Sequence, residues 1–154
     1  MEENFYNIAL RFLSYRTRSE KEVRDKLKEK QADPQVIEKI IAKLKEKKFI
    51  NDEEFARMFV ENRLRFKPRS LRLIQMELKQ KGIDQEIIEK SLDIEGSAVN
   101  DLESAKKLVE KRIERVKSLP KQEIYEKLGR YLASKGFNWD TIKKAIDEIL
   151  GKGV

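Results

Sequence analysis

The side chains able to do chemistry in this sequence are almost all cationic. There is no histidine and no cysteine among the 154 residues, which removes the commonest general base, the commonest metal ligand and all thiolate chemistry. The densest chemical feature is NRLRFKPRSLR at 62–72, where Arg63, Arg65, Lys67, Arg69 and Arg72 surround Phe66 and Pro68, and no acid falls between Glu61 and Glu77. Guanidinium forks pair with carboxylates and phosphates alike. The run is therefore a candidate grip on an anionic surface, its alternative being the solvated edge of a helix pair. An acidic cluster, Asn51-Asp52-Glu53-Glu54, offers oxygen ligands. Consecutive residues at a helix start diverge in direction, however, and acids there are favoured by the helix dipole, so the cluster reads as a helix start and not a metal site. Only six glycines occur and none lies in a GxxxxGK[ST] loop, so no phosphate cradle is present. No nucleophile–base pair suggests itself. The expectation is a protein that is not an enzyme, with no catalytic residue, metal or cofactor.

Charged residues make up 41% of the chain, apolar residues 39%, and the formal charge is +7. That balance favours a polyanionic partner, either nucleic acid or an acidic protein surface. No run of 18 apolar residues exists, and MEENFYNIALRF at the N-terminus carries early acids. Neither a transmembrane span nor a secretory signal is expected, and a cytoplasmic location without membrane association is.

The elements that must position these cations are helices. Phe5, Ile8, Ala9, Phe12 and Leu13 form an apolar stripe at the spacing of a helical turn, and so do Phe55, Ala56, Phe59 and Val60, and Leu102, Ala105, Leu108, Val109, Ile113 and Val116. No alternating run suggests a strand, so the chain reads as all-α. The stripes look like copies of one unit. Ala9, Ala56 and Ala105 each precede an arginine by seven residues, at Arg16, Arg63 and Arg112. A second helix follows, with leucine near its end at Leu27, Leu78 and Leu132; then come Gln31, Gly82 and Gly136, and then Asp33, Asp84 and Asn138. These last residues suit the cap of a third helix, and Pro34 suits its first position.

The pattern predicts three tandem three-helix repeats at 1–50, 51–95 and 96–154, stacked into an elongated, curved body because each alone buries little. Ser19 with Glu22 and Asn51 with Glu54 fit capping boxes. Pro68 and Pro120 should break the chain between first and second helices, and Gly96 is the expected hinge into the third repeat.

Features repeated in every unit read as architectural. Arg16, Arg63 and Arg112 should therefore do one job three times, each meeting exposed carbonyls near a helix end for about 0.3–1 kcal/mol. Trp139 reads as a packing residue. The corner between first and second helices is basic in all three repeats: Arg16, Arg18 and Lys21; Arg63 to Arg72; Arg112, Arg115, Lys117 and Lys121. If the corners share one side of the stack they form a ridge. The candidate binding residues are thus Arg65, Lys67, Arg69 and Arg72, with Arg18, Lys21, Arg115, Lys117 and Lys121.

FINDEEFARMFVENR at 49–63 resembles the most characteristic segment of the RecX regulators of the RecA recombinase. ALRFLSYRTRSEKEVRDKLKEK at 9–30 is similar to that family's first-repeat pattern, and RSLRLIQMELKQKGID at 69–84 resembles its second-repeat helix ending in Lys-Gly-Ile. The resemblance covers about 9–150 and is strongest in the first two repeats. Where the family often has glycine, this chain has Lys48-Phe49 and Gln31, both at helix ends, where the substitution carries a modest cost. The resemblance implies a monomeric, non-enzymatic modulator of homologous recombination, DNA repair and the SOS response. Such a modulator lies in the groove of the RecA filament on single-stranded DNA and restrains ATP hydrolysis and strand exchange. The basic corners would then meet acidic surfaces of RecA, DNA phosphates, or both. The alternative is a nucleic-acid-binding helical module without a RecA partner, against which stand the lack of a spaced aromatic platform and of a recognition helix.

Overall fold

The computed structural model describes residues 2–93 and 97–152; Gly96, the expected hinge, lies outside the described residues. Among the described residues there are nine helices and no strand: α1 (Glu2–Tyr15), α2 (Glu20–Glu29), α3 (Pro34–Glu46), α4 (Asp52–Phe66), α5 (Leu71–Gln80), α6 (Gln85–Leu92), α7 (Ser97–Val116), α8 (Lys121–Ser134) and α9 (Trp139–Lys152). No helix among the described residues is long and apolar enough to cross a membrane.

Local sequence accounts for most helix ends. Ser19 and Glu22 form the reciprocal capping box of α2, with Ser19 Oγ accepting from the Glu22 amide at 3.2 Å and Glu22 Oε1 accepting from the Ser19 amide at 3.1 Å. Asn51 accepts from the Glu54 amide at 3.1 Å, Ser70 from the Leu73 amide at 3.1 Å, and Asn138 from the Thr141 amide at 2.9 Å. Asp33 departs from expectation. It occupies the N-cap position of α3 but its side chain makes no capping hydrogen bond, and Pro34 has already removed one of the donors that needs a partner. Pro68 and Pro120 both fall in breaks, between α4 and α5 and at the head of α8.

Four helices end in the same way. Gln31 (φ 66°), Lys48 (φ 62°), Gly82 (φ 78°) and Gly136 (φ 90°) are left-handed. The amide after each reaches back to the fifth preceding carbonyl: Ala32 to Leu27 at 3.0 Å, Phe49 to Leu44 at 2.8 Å, Ile83 to Leu78 at 3.1 Å and Phe137 to Leu132 at 3.3 Å. These are Schellman closures, in which glycine escapes the Cβ penalty of the left-handed residue. Gln31 and Lys48 carry that penalty. Gln31→Gly and Lys48→Gly are each expected to stabilise the chain by about 0.5–1 kcal/mol, read as a rise in the urea midpoint. A fall at both positions would contradict the assignment.

The chain divides into two compact units, Met1–Phe59 with Glu77–Ser91, and Val60–Met76 with Leu92–Val154. In the first, Ala9, Val23, Leu27, Ile37, Ile41 and Leu44 form the centre of a buried core. In the second, Ala105, Val109, Leu128, Leu132, Ile142 and Ile146 do. Both cores hold the repeated alanine and the repeated leucine, so the register legible in the sequence is a register of burial. Each unit combines one outer repeat, which supplies all the core residues just named, with part of the middle one.

Candidate functional site

In the first unit the corner between α1 and α2 is tied down from several directions. Ser19 Oγ, besides capping its own helix, donates to the Lys81 carbonyl at 2.7 Å. The Glu20 amide donates to Asp52 Oδ1 at 2.9 Å. Lys21 lays its stem against Gly82, where an added Cβ would come within 2.5 Å of Lys21 Cβ, and its ammonium pairs with Asp25 at 2.9 Å. Arg18 is largely covered. Its Nε donates to the Phe12 carbonyl at 3.3 Å, its guanidinium sits 3.9 Å from the Phe12 ring centre, and Nη1 is 4.0 Å from Glu22. Burial, with repulsion from Arg16, lowers the Arg18 pKa. Glu22 also pairs with Arg16 at 2.6 Å and Lys81 at 3.4 Å. Burial pushes its carboxyl up, but the Ser19 amide, Arg16 and Lys81 outweigh that and hold it below the usual range. Arg18 and Lys21 thus already have internal partners.

The second unit repeats the device at the corner between α4 and α5. The Ser70 amide donates to the Lys135 carbonyl at 2.9 Å, and the Leu71 amide donates to Asp101 Oδ1 at 2.9 Å. A Cβ added to Gly136 would lie 2.3 Å from Ser70 Oγ. Pro68, Ser70 and Leu71 are buried, whereas Arg65, Phe66, Lys67 and Arg72 are exposed. Arg69 donates through Nε to the Lys67 carbonyl at 3.0 Å, Arg72 reaches the Gly136 carbonyl at 3.5 Å, and Arg65 lies 5.2 Å from the Phe66 ring centre. No carboxylate pairs with Arg65, Lys67 or Arg72 among the described residues.

The same joint brings up cations that sequence reasoning did not assign to the corner. Lys135, whose carbonyl holds Ser70, has its ammonium 5.8 Å from the Tyr131 ring centre, and Arg112 sits on that ring at 3.6 Å. One signal was available. Lys30, Lys81 and Lys135 all precede the left-handed residue of the repeat.

The corner between α7 and α8 is built differently. Pro120 stands where Ser19 and Ser70 stand in the other corners, and it caps α8 without a side-chain hydrogen bond; proline also has no amide hydrogen to donate. Lys117 pairs with Glu114 at 2.6 Å, while Arg115 and Lys121 are exposed. The repeated arginines do not all do the carbonyl-capping job expected of them. Arg16 does donate to the Thr17 carbonyl at 2.9 Å, besides pairing with Glu22, and Arg63 donates to Asn62 Oδ1 at 3.1 Å among its contacts, but Arg112 stacks on Tyr131. The reason is helix length: α1 ends before Arg16, whereas α4 runs three residues past Arg63 and α7 four past Arg112. Trp139 is 54% exposed, with one ring edge against Gly129. In the acidic cluster, Asp52 and Asn51 are engaged with separate amides on separate helices.

Three family models match in chain order: RecX, first three-helix domain, over 6–44; the second three-helix domain over 51–92; and the third over 100–146. The regulatory protein RecX of Bacillus subtilis is 38% identical over 144 residues, 94% of this chain and 54% of that protein. That of Oceanobacillus iheyensis is 33% identical over 144 residues, 94% of this chain and 53% of its own. The chain spans about half the length of the curated relatives it matches. The crystal structure of RecX from Lactobacillus salivarius superposes with a TM-score of 0.79 at 32% identity, covering 96% of this chain and 95% of that one. A second crystal structure, of regulatory protein RecX, gives 0.78 at 28% identity over 95% and 71%. With three consecutive domain matches and a solved relative covered nearly end to end, the chain belongs to the RecX family.

Proposed function

We propose that this chain is a non-catalytic regulator of the RecA recombinase. It binds in the groove of the RecA filament on single-stranded DNA and restrains ATP hydrolysis and strand exchange, and so acts in homologous recombination and DNA repair. Its relatives are named as regulatory proteins, and the RecX resemblance supplies the partner. The observation that carries the binding role is the corner at 62–72. Arg65, Lys67 and Arg72 stand exposed there without a carboxylate partner among the described residues, on a backbone fixed from beneath. Cations held in place lose little freedom on meeting an anionic surface, which favours binding.

The test is the ATPase of RecA on single-stranded DNA, titrated with this protein. Inhibition at substoichiometric amounts is expected. Retention on bare DNA with no effect on RecA would reverse the reading in favour of a nucleic-acid-binding module.

A further inference from the structure

We propose that Asp101 is a positioning residue for the basic corner of the middle repeat. Its carboxylate fixes the first amide of α5, and through it the way Arg65, Lys67, Arg69 and Arg72 are presented to an anionic partner. The proposal rests on the reading of that corner as the binding surface.

Asp101 belongs to α7, thirty residues along the chain from the amide it holds. The loop between α4 and α5 has only four residues, so its course depends on where α5 starts. Two of the three bonds fixing that start, to Asp101 Oδ1 and to the Lys135 carbonyl, come from the third repeat. The third is the Ser70 hydroxyl acting on its own helix. A carboxylate at the first amide also meets the positive end of the α5 dipole.

The arrangement occurs twice. Asp52 holds the Glu20 amide at the start of α2 as Asp101 holds that of Leu71, both at 2.9 Å. Asp52 and Asp101 each stand four residues before the repeated alanine, Ala56 and Ala105, a place taken in the first repeat by Phe5, which packs into its own core. Burial pushes both carboxyls above the usual range. A side chain kept in an environment that opposes its charge, at one register and on one kind of partner, has a positional role.

Electrostatics and positioning make opposite predictions. Asp101 is a negative charge beside a cationic corner. If only the field mattered, removing that charge would tighten binding to an anionic filament, equally for Asn and Ala. If position matters, Asp101→Asn keeps an oxygen acceptor and binding, whereas Asp101→Ala loses the acceptor and weakens binding despite the added net positive charge. Alanine favours the helix interior, so D101A should fold, with helicity and melting temperature as controls.

The experiment titrates the full chain and both variants onto RecA filaments on single-stranded DNA, and measures hydrogen exchange at the Leu71 amide. D101A is expected to bind about three- to tenfold more weakly, the equivalent of one hydrogen bond, with faster exchange at Leu71. D101N is expected to match the wild type or exceed it. In an R65A/K67A background the D101A effect should shrink toward nothing. The proposal is overturned if D101A binds as tightly as wild type, if D101N is as weak as D101A, or if the loss persists undiminished in that background. Should R65A/K67A itself leave binding unchanged, the corner reading falls and takes this role with it. Should R65A/K67A weaken binding while D101A does not, only the positioning role falls.

Discussion

Gly136→Ala is expected to destabilise the protein by about 2–4 kcal/mol, a drop in melting temperature on the order of 10 °C for a chain of this size. Two effects add. Gly136 has φ of 90°, a left-handed conformation that costs an L-residue roughly 1–2 kcal/mol. Its new Cβ would also lie 2.3 Å from Ser70 Oγ and 3.0 Å from Leu73 Cβ. Ser70 has nowhere to retreat: it is 1% exposed, its amide is held by the Lys135 carbonyl, and its hydroxyl caps α5. The clash is relieved only by parting the end of α8 from the start of α5, which opens the joint beneath the basic corner. Chemical denaturation measures the effect directly. A loss below about 1 kcal/mol would show that the joint yields cheaply, because the backbone term alone accounts for that much. The contrast with Gln31→Gly is informative, since both changes act at a left-handed helix end with opposite expected signs.

The repeat was legible because it is written in residues that act locally or are buried at fixed spacing. Ala9, Ala56 and Ala105 are fully buried, as are Leu27, Leu78 and Leu132, and burial enforces periodicity. Pro68, the Ser19 capping box and the Ser70 cap work within a few residues and can be read from a short window. The expected kinship of Gln31 with Gly82 and Gly136 holds for the same reason, since a Schellman closure needs a left-handed residue whatever its side chain.

What escaped is tertiary. Arg18 looks like any corner cation until α1 places the Phe12 carbonyl and ring against it. Asp101 lies inside α7, where nothing local marks an acid as a cap for another helix; only its shared offset with Asp52 from the repeated alanine pointed to it. Giving Arg16, Arg63 and Arg112 one job breaks down between Arg16, which meets a carbonyl past the end of α1, and Arg112, which stacks on Tyr131 inside α7, because equal spacing from the alanine does not fix where each helix stops. The corners themselves turned out unequal. Two are held by joints, and the third has Pro120 where the joint would form.

Replacing Arg65, Lys67 and Arg69 together with alanine is expected to weaken filament binding at low salt by at least about tenfold, with helicity retained. Exposed ion pairs contribute roughly 0.2–1 kcal/mol each, and pairs closed off at an interface contribute more, so three together exceed the 1.4 kcal/mol of a tenfold change. The fold should tolerate the change. Arg65 is exposed in the last turn of α4, Lys67 is an exposed loop residue, and Arg69 donates to the neighbouring Lys67 carbonyl within the loop. Buried Pro68, Ser70 and Leu71 remain to hold the bend. Binding measured over a salt series separates the anion classes. Phosphate contacts on single-stranded DNA carry a slope near −0.7 per contact, so losing three would flatten the log–log plot by about 2 and would also appear on bare strands. Contacts to acidic protein surfaces would flatten it less and leave bare-strand binding unchanged. Lys117→Ala with Lys121→Ala is the control at the corner without a joint, where Lys117 is already paired with Glu114, and a smaller loss per charge removed is expected there. Equal loss per charge at both corners would make net charge, and not the ordered geometry at 62–72, the determinant of binding; no loss at 62–72 across the salt series would remove that corner from the interface.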